Sequence, residues 1–195
     1  MDLLPRSINI ERNLVVADPV PGGFTWTLTS RLGQLLHLAE SQFGPRDRSF
    51  AILGAEFREG GPQTWFPGDR RHVAIQLGMN TLTQPFRAFF QLAHETVHLL
   101  DPHPYGTNNL EEGIATRFQV DFMKSEFDLD YPIGDPKYEK ACDLVTNMLT
   151  LRCNSAKELR LLYGPWRSIS ADQISAVCPG IDSSIAEELA KPFPT

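Results

Sequence analysis

The chain has 195 residues, of which 42% are apolar and 22% charged, so it has enough apolar side chains for a core and is not wholly disordered. No apolar run reaches the ~20 residues that a membrane helix needs, so we expect no membrane as a partner. A net charge of −6 argues against nucleic acid as the main partner.

The cysteines and the first residues bear on the compartment. Three cysteines, an odd number, are too few for a disulfide framework. Residues 1–6 lack the basic start and the long apolar stretch of a secretory signal. We therefore expect a reducing, cytoplasmic setting.

Short strands and one helix are predicted in the first half of the chain. Residues 1–23 read as extended and irregular. Their short strand material is Ile8, Ile10, Leu14, Val15 and Val16. Apolar residues recur at helical spacing between residues 25 and 43, which predicts an amphipathic helix. Residues 50–57 and 72–77 are predicted strands, and we expect them to form an antiparallel pair in a small sheet.

Helices are predicted for most of the second half. Residues 84–100 form one helix, with Thr83 as N-cap and a proline in the first turn. Residues 110–123 form the next, capped by Asn109. From Tyr138 onward the chain reads as three or four helices. Their breaks fall near Asn154, Gly164-Pro165 and Pro179-Gly180. We divide the chain into a core of residues 1–135 and a helical C-terminal subdomain of residues 136–195.

The string His94-Glu95-Thr96-Val97-His98 lies inside the helix predicted for residues 84–100. Two histidines four residues apart project from one face of a helix, so both imidazoles can reach the same metal ion. Glu95 lies at the rim of that face, where it can take a proton from a metal-bound water without being a ligand. The pattern therefore predicts a metal site.

A catalytic zinc site needs a third protein ligand. His103 is out of register with the extended three-histidine zinc signature, which needs a glycine and a histidine where this chain has Asp101 and Pro104. Downstream, Glu111 lies in the middle of the apolar stripe of the next helix, and Glu112 lies at its margin. The stripe alone would favour Glu111, and both glutamates remain candidates at this point.

The string Glu112-Gly113-Ile114-Ala115, which thirteen residues separate from His98, resembles the E-G-x-A motif of gluzincin metallopeptidases. In these enzymes the motif helix is followed by a second helix that donates a glutamate to zinc. The likeness is to compact gluzincin domains and covers roughly residues 50–123. It implies an α+β zincin-like fold, with a small, mainly antiparallel sheet packed on the HExxH helix. It also implies Glu112 as third ligand and Zn²⁺ as cofactor, with the small residues letting the second helix approach the first.

The resemblance also implies a function, a zinc-dependent metallopeptidase acting on a peptide or protein substrate. His94, His98 and Glu112 would hold Zn²⁺ with a water, and Glu95 would be the general base that hydrolysis of a peptide bond requires. The candidates for oxyanion or substrate contact are Tyr105, His103, Arg117 and Tyr131. Residues 72–77 would be the edge strand along which a peptide adds. Thr116 stands where some gluzincins place an aspartate that holds a histidine.

Two other functions remain open. One is a zinc-stabilised binding protein without turnover, although a purely structural site has no use for the general base Glu95. The other is a regulatory or effector protease with one dedicated protein target, which no sequence feature separates from a broad peptidase.

Overall fold

A computed structural model describes residues 14–68 and 71–194. The predicted strand material at Ile8 and Ile10 lies outside the described residues. Leu14, Val15 and Val16 are not in a strand. The first ladder instead joins two short strands on either side of the Pro21-Gly22 turn.

The described residues form an α+β fold, as predicted. The strands are β1 (Pro19–Val20), β2 (Gly23–Phe24), β3 (Ala51–Arg58), β4 (Gln63–Trp65) and β5 (His72–Gly78). The helices are α1 (Leu28–Phe43), α2 (Pro85–His98), α3 (Asn109–Phe127), α4 (Pro136–Leu151), α5 (Ser155–Tyr163), α6 (Ala171–Val177) and α7 (Ser183–Ala190). The C-terminal part was predicted as three or four helices, and the described residues form four, with breaks at the expected places. Two caps differ from prediction: Gln84, not Thr83, precedes α2, and the side chain of Asn108, not that of Asn109, caps α3. Among the described residues, no helix has the length and apolarity required to cross a membrane.

The prediction of an antiparallel pair in the main sheet is wrong. Strands β3 and β5 pair in parallel, with Ala51 opposite His72, and the strand order is β3-β5-β4. The connection between β3 and β5 is long enough to return the chain to the starting end of β3. Part of it forms β4, which pairs antiparallel with the far side of β5.

Strand β5 is therefore central, and the prediction that residues 72–77 form an edge strand is also wrong. Val73, Ala74 and Ile75 are all buried, so both faces of β5 are covered. Such coverage is typical of an interior strand with a parallel neighbour. Strand β4 is instead the edge strand beside α2, the helix that carries the HExxH motif.

Helix α2 lies at the centre of the molecule. From Ala88 to Val97 every residue except Gln91 is buried, because β5, α1 and α3 pack around the helix. A helix buried on all sides places its histidines in a rigid, largely dry setting. Helices α2 and α3 run antiparallel, since His98 contacts Glu111 at one end and Phe86 contacts Phe127 at the other.

Gly113 lies in close contact with a different helix from the one predicted. A Cβ at this position would lie 2.3 Å from the carbonyl oxygen of Ala141 and 2.6 Å from Val145 Cγ2, both on α4. The glycine therefore lets α3 approach α4, not α2. The predicted boundary at residue 135 falls at the N-cap of α4, a helix that is tightly packed on α3.

The C-terminal end of α2 is fixed by a buried arginine from α5, Arg160. Its Nε donates to Asp101 Oδ2 at 2.6 Å, and Nη2 donates to the carbonyl oxygen of Leu100 at 3.1 Å. The carbonyls of Phe43 and Pro45 accept further hydrogen bonds from Nη1 and Nη2. One side chain thus joins α5, the end of α1 and the end of the motif helix.

Candidate metal centre

The two motif histidines lie side by side on α2. The ring centroids of His94 and His98 are 5.2 Å apart, and His94 is only 7% exposed. The spacing of four residues on a regular helix accounts for this placement. Both rings point toward α3.

The third member of the cluster is Glu112, in the first turn of α3. Its Oε2 lies 3.0 Å from His94 Nε2, and its Oε1 lies 3.7 Å from His98 Nε2. One ligand atom from each of these three residues lies within 4.8 Å of the others. Two imidazole nitrogens and one carboxylate oxygen are the donor set of many zinc sites with an open position, so the residues fit a zinc ion.

The neighbouring Glu111 has different partners. Its Oε1 lies 2.9 Å from His98 Nδ1 and 3.2 Å from His103 Nε2. It therefore binds the side of the His98 ring that faces away from Glu112. A carboxylate in this position fixes the orientation of a ligating histidine and leaves its Nε2 for the metal.

The glutamates and histidines of the cluster shift one another's pKa values. Burial alone would raise the pKa of Glu112, but His98 and His94 hold it at about 2. Burial would likewise raise the pKa of Glu111, but His103 and His98 bring it to about 2. Burial lowers the pKa of His98, yet Glu112 and Glu111 together raise it to about 10. Without a metal, a proton on His98 neutralises part of this negative charge, and a metal ion would replace that proton.

Glu95 is buried beside the cluster without belonging to it. It is 6% exposed, and Thr64 of β4 donates a hydrogen bond from Oγ1 to Glu95 Oε2 at 3.1 Å. Burial raises the pKa of Glu95, an effect that His98 and His94 partly offset. A carboxyl group of raised pKa in a cleft has the property required of a general base.

The triad opens into a cleft of about 250 Å³ that Glu95 and Thr64 also line. Of the four predicted contact residues, His103 and Tyr105 line this cleft. Tyr131 lines a neighbouring cleft and packs on Phe90, with ring centroids 4.7 Å apart.

Two residues singled out in the sequence take no part in the cluster or in these clefts. Arg117 lines neither of these clefts and instead donates to Asp121 and Thr146 on the α4 side. Thr116 does not hold a histidine, because its buried hydroxyl has no hydrogen-bond partner among the described residues. Glu111 makes the histidine contact instead.

Sequence reasoning missed Tyr138, at the start of α4. Its ring stands nearly perpendicular to that of His94, with centroids 5.5 Å apart, and it lines both clefts. Burial raises the pKa of Tyr138, and Glu112 and Glu95 add to this, so the phenol stays protonated at neutral pH. No local motif marks this residue, because packing of α4 on α3 brings it to the site.

The backbone near the C-terminus supports the loop before Glu112. Thr107 donates from Oγ1 to Glu112 Oε1 at 2.6 Å, and the Thr107 carbonyl accepts from Phe193 N at 2.9 Å. Asn109 N also donates to the Lys191 carbonyl, and the Phe193 ring packs on Tyr138. Residues 191–193 therefore contact the surroundings of both Glu112 and Tyr138.

Comparison of the chain with protein-family models, with curated proteins and with solved structures gives no match in any of the three. The function is therefore inferred from the chemistry of the cluster and of the two clefts beside it.

Proposed function

We propose that the protein is a zinc-dependent peptidase, in which His94, His98 and Glu112 hold the metal and Glu95 is the general base. The observation that carries the proposal is the position of Glu95. A second buried carboxylate, hydrogen-bonded to β4, lies in the same cleft as the His-His-Glu cluster. A site that only stabilised the fold would not need it.

A zinc ion in this cluster would polarise a peptide carbonyl and lower the pKa of a bound water. Glu95 would take a proton from the attacking water and give it to the leaving amine, which is general base and then general acid catalysis. Thr64 orients this carboxylate through Oε2, and Oε1 has no hydrogen-bond partner among the described residues. Oε1 is therefore the atom available to the water.

The phenol of Tyr138 is the group best placed to donate a hydrogen bond to the oxygen of the substrate carbonyl. It lies beside His94 and faces the cleft. Its raised pKa keeps the donor proton in place. Preorganised donors of this kind stabilise the charge that develops in the transition state.

A substrate peptide would bind along β4. One side of β4 pairs with β5, and no described strand pairs with the other side. An extended peptide could add there through main-chain hydrogen bonds. Because Thr64 lies in β4 and contacts Glu95, a peptide on that edge would pass next to the general base.

The test compares metal content and cleavage of an unstructured peptide library for wild type, Glu95→Gln and Glu139→Gln. Glu95→Gln removes a base and no ligand, so it should keep one zinc per chain and lose about 10²- to 10⁴-fold in cleavage rate. Glu139 is exposed on α4 and provides the matched control, which should behave as wild type.

Cleavage that is the same in Glu95→Gln and wild type would refute the assignment of the base. Stoichiometric zinc with no cleavage of the library would contradict a broad peptidase. It would favour one of the two other functions, a protease with one dedicated target or a zinc-stabilised binding protein.

A further inference from the structure

A second cleft of about 570 Å³ begins beside the metal cluster and adjoins the first, with which it shares His94, Glu95 and Tyr138. His94 and Glu95 form its inner end. From there it follows the α2–α3 pair toward Arg87, two helical turns before His94 on α2. It thus extends from the reacting centre toward solvent, as a subsite for a substrate side chain would.

One polar side chain of this cleft has no hydrogen-bond partner among the described residues. Gln119 lies on α3, two turns after Glu112, and is 5% exposed. Its side-chain amide lines the cleft and makes no hydrogen bond to any described residue. An occupant that covered this amide without pairing with it would withdraw the amide from water, which is costly. An occupant that brings a hydrogen-bonding group to Gln119 would avoid that cost.

Apolar groups form much of the remaining wall. The rings of Phe90 and Tyr131 pack together on one side, and Pro132 and Ile133 continue the surface. The volume and the ring surfaces suit a large aromatic side chain, which gains from both area and ring stacking.

The charges around the cleft disfavour a charged occupant. Arg87 is exposed at the mouth and forms no ion pair with the described residues, whereas Asp135 and Glu95 contribute carboxyl groups. A cationic side chain would approach Arg87, and an anionic one would approach the two carboxyl groups. Either would also lose its hydration, so a neutral side chain fits best.

We propose that this cleft binds one side chain of the substrate, and that it selects a large neutral aromatic residue with a hydrogen-bonding group, with tyrosine as the best fit. That the occupant is a side chain of a peptide substrate rests on the proposed peptidase function. Gly61 and Pro62, just before β4, line the cleft. A peptide on the edge of β4 would therefore direct one of its alternating side chains into it.

The first experiment uses a peptide series that differs at one position, with Tyr, Phe, Leu, Glu or Lys. Wild type should cleave the Tyr peptide at least about tenfold faster than the Phe peptide, because Phe leaves the Gln119 amide unpaired. Gln119→Leu should lose the preference for Tyr, through a fall in its rate on the Tyr peptide. Gln42→Leu, at an exposed position of α1 outside the cleft, should keep the preference.

The second experiment measures binding without turnover. Glu95→Gln protein is titrated with N-acetyl-tyrosinamide and with N-acetyl-phenylalaninamide and followed by NMR. We expect tighter binding of the tyrosine compound, and equal binding once Gln119→Leu is added. Gln119→Met, which keeps an unbranched chain of similar length, repeats the test if the leucine variant does not fold.

The two experiments separate this proposal from the peptidase proposal. Selective binding of the tyrosine compound that Gln119→Leu abolishes, with no cleavage by wild type, would support the subsite and contradict a broad peptidase. Cleavage that depends on Glu95 but shows no preference for Tyr would refute the subsite alone. A preference that survives both Gln119 variants would also overturn it.

Discussion

Two clusters of buried charge lie near the C-terminal end of α2. They differ in how many of their polar atoms have hydrogen-bond partners. Around Arg160, all three guanidinium nitrogens donate hydrogen bonds, to Asp101 and to three carbonyls. Around the motif histidines, Glu111 Oε2 and His103 Nδ1 are buried without a partner among the described residues. Three glutamates also share this space with the histidines.

This difference is the one that we expect between a cluster that holds the fold together and a cluster that binds a cation. When every polar atom of a network has a partner, the hydrogen bonds and ion pairs offset most of the free energy that burial of the charges costs. An excess of carboxylates with unpartnered atoms destabilises the empty site and favours a cation. Four changes test this comparison, in order of decreasing expected effect.

Arg160→Met should have the largest effect on folding. It leaves Asp101 and the carbonyls of Phe43 and Pro45 without this donor, while the Leu100 carbonyl keeps the bond from Asp47 N, so the free energy of unfolding should fall by about 3–5 kcal/mol. Urea denaturation measures it, with Arg48→Met as control, because Arg48 forms an exposed ion pair worth less than about 1 kcal/mol. Loss of zinc from folded Arg160→Met at unchanged stability would contradict the distinction between the clusters.

Zinc should stabilise the wild-type protein and not His94→Ala. A ligand that binds only the folded state at 100 times its Kd adds about 2.7 kcal/mol to the free energy of unfolding. Thermal unfolding with and without added Zn²⁺, after removal of metal by a chelator, measures the effect. His37→Ala, at an exposed position of α1, is the matched control. An equal response from His94→Ala would place the zinc elsewhere.

Glu111→Gln should weaken zinc binding less than Glu112→Ala. The glutamine loses the charge that orients His98, and loss of such a partner lowers metal affinity by about 10- to 100-fold. Competition with a chromogenic chelator gives both affinities. If Glu111→Gln abolished zinc binding and Glu112→Ala did not, the apolar stripe of α3 would have been the better guide to the ligand.

Gly113→Ala tests the packing of α3 on α4 next to Glu112. The added methyl group would meet the backbone of Ala141, so the free energy of unfolding should fall by about 1–3 kcal/mol. Gly33→Ala is the control, since nothing lies within 4 Å of a Cβ there and α1 should gain about 0.5–1 kcal/mol. An equal gain from Gly113→Ala would show that α3 and α4 are not in close contact.

The sequence predicted the parts of the site that depend on local spacing. The four-residue interval between His94 and His98 sets their shared face on any helix, and Glu112 was placed with them by its motif. The apolar stripe of α3, which favoured Glu111, also reflects the fold. Glu111 does point inward, where it contacts the other side of His98.

The remaining parts depend on contacts between distant segments. The parallel pairing of β3 with β5 depends on the path of the chain between the two strands. The alternation of apolar and polar residues within a strand does not reveal that path. Tyr138 and Gln119 reach the clefts because α4 packs on α3 and α3 packs on α2. Neither residue stands in a pattern that a single sequence makes recognisable.

The backbone contacts of residues 191–193 have a practical consequence for protein production. Phe193 bonds to Thr107 and packs on Tyr138, so the last described residues lie against the surroundings of the metal cluster. An affinity tag fused directly after them, or a shortened expression clone that ends before Lys191, would disturb the loop that carries Thr107. Assays should therefore use a purification handle at the other end of the chain, or one that is cleaved off behind a flexible spacer.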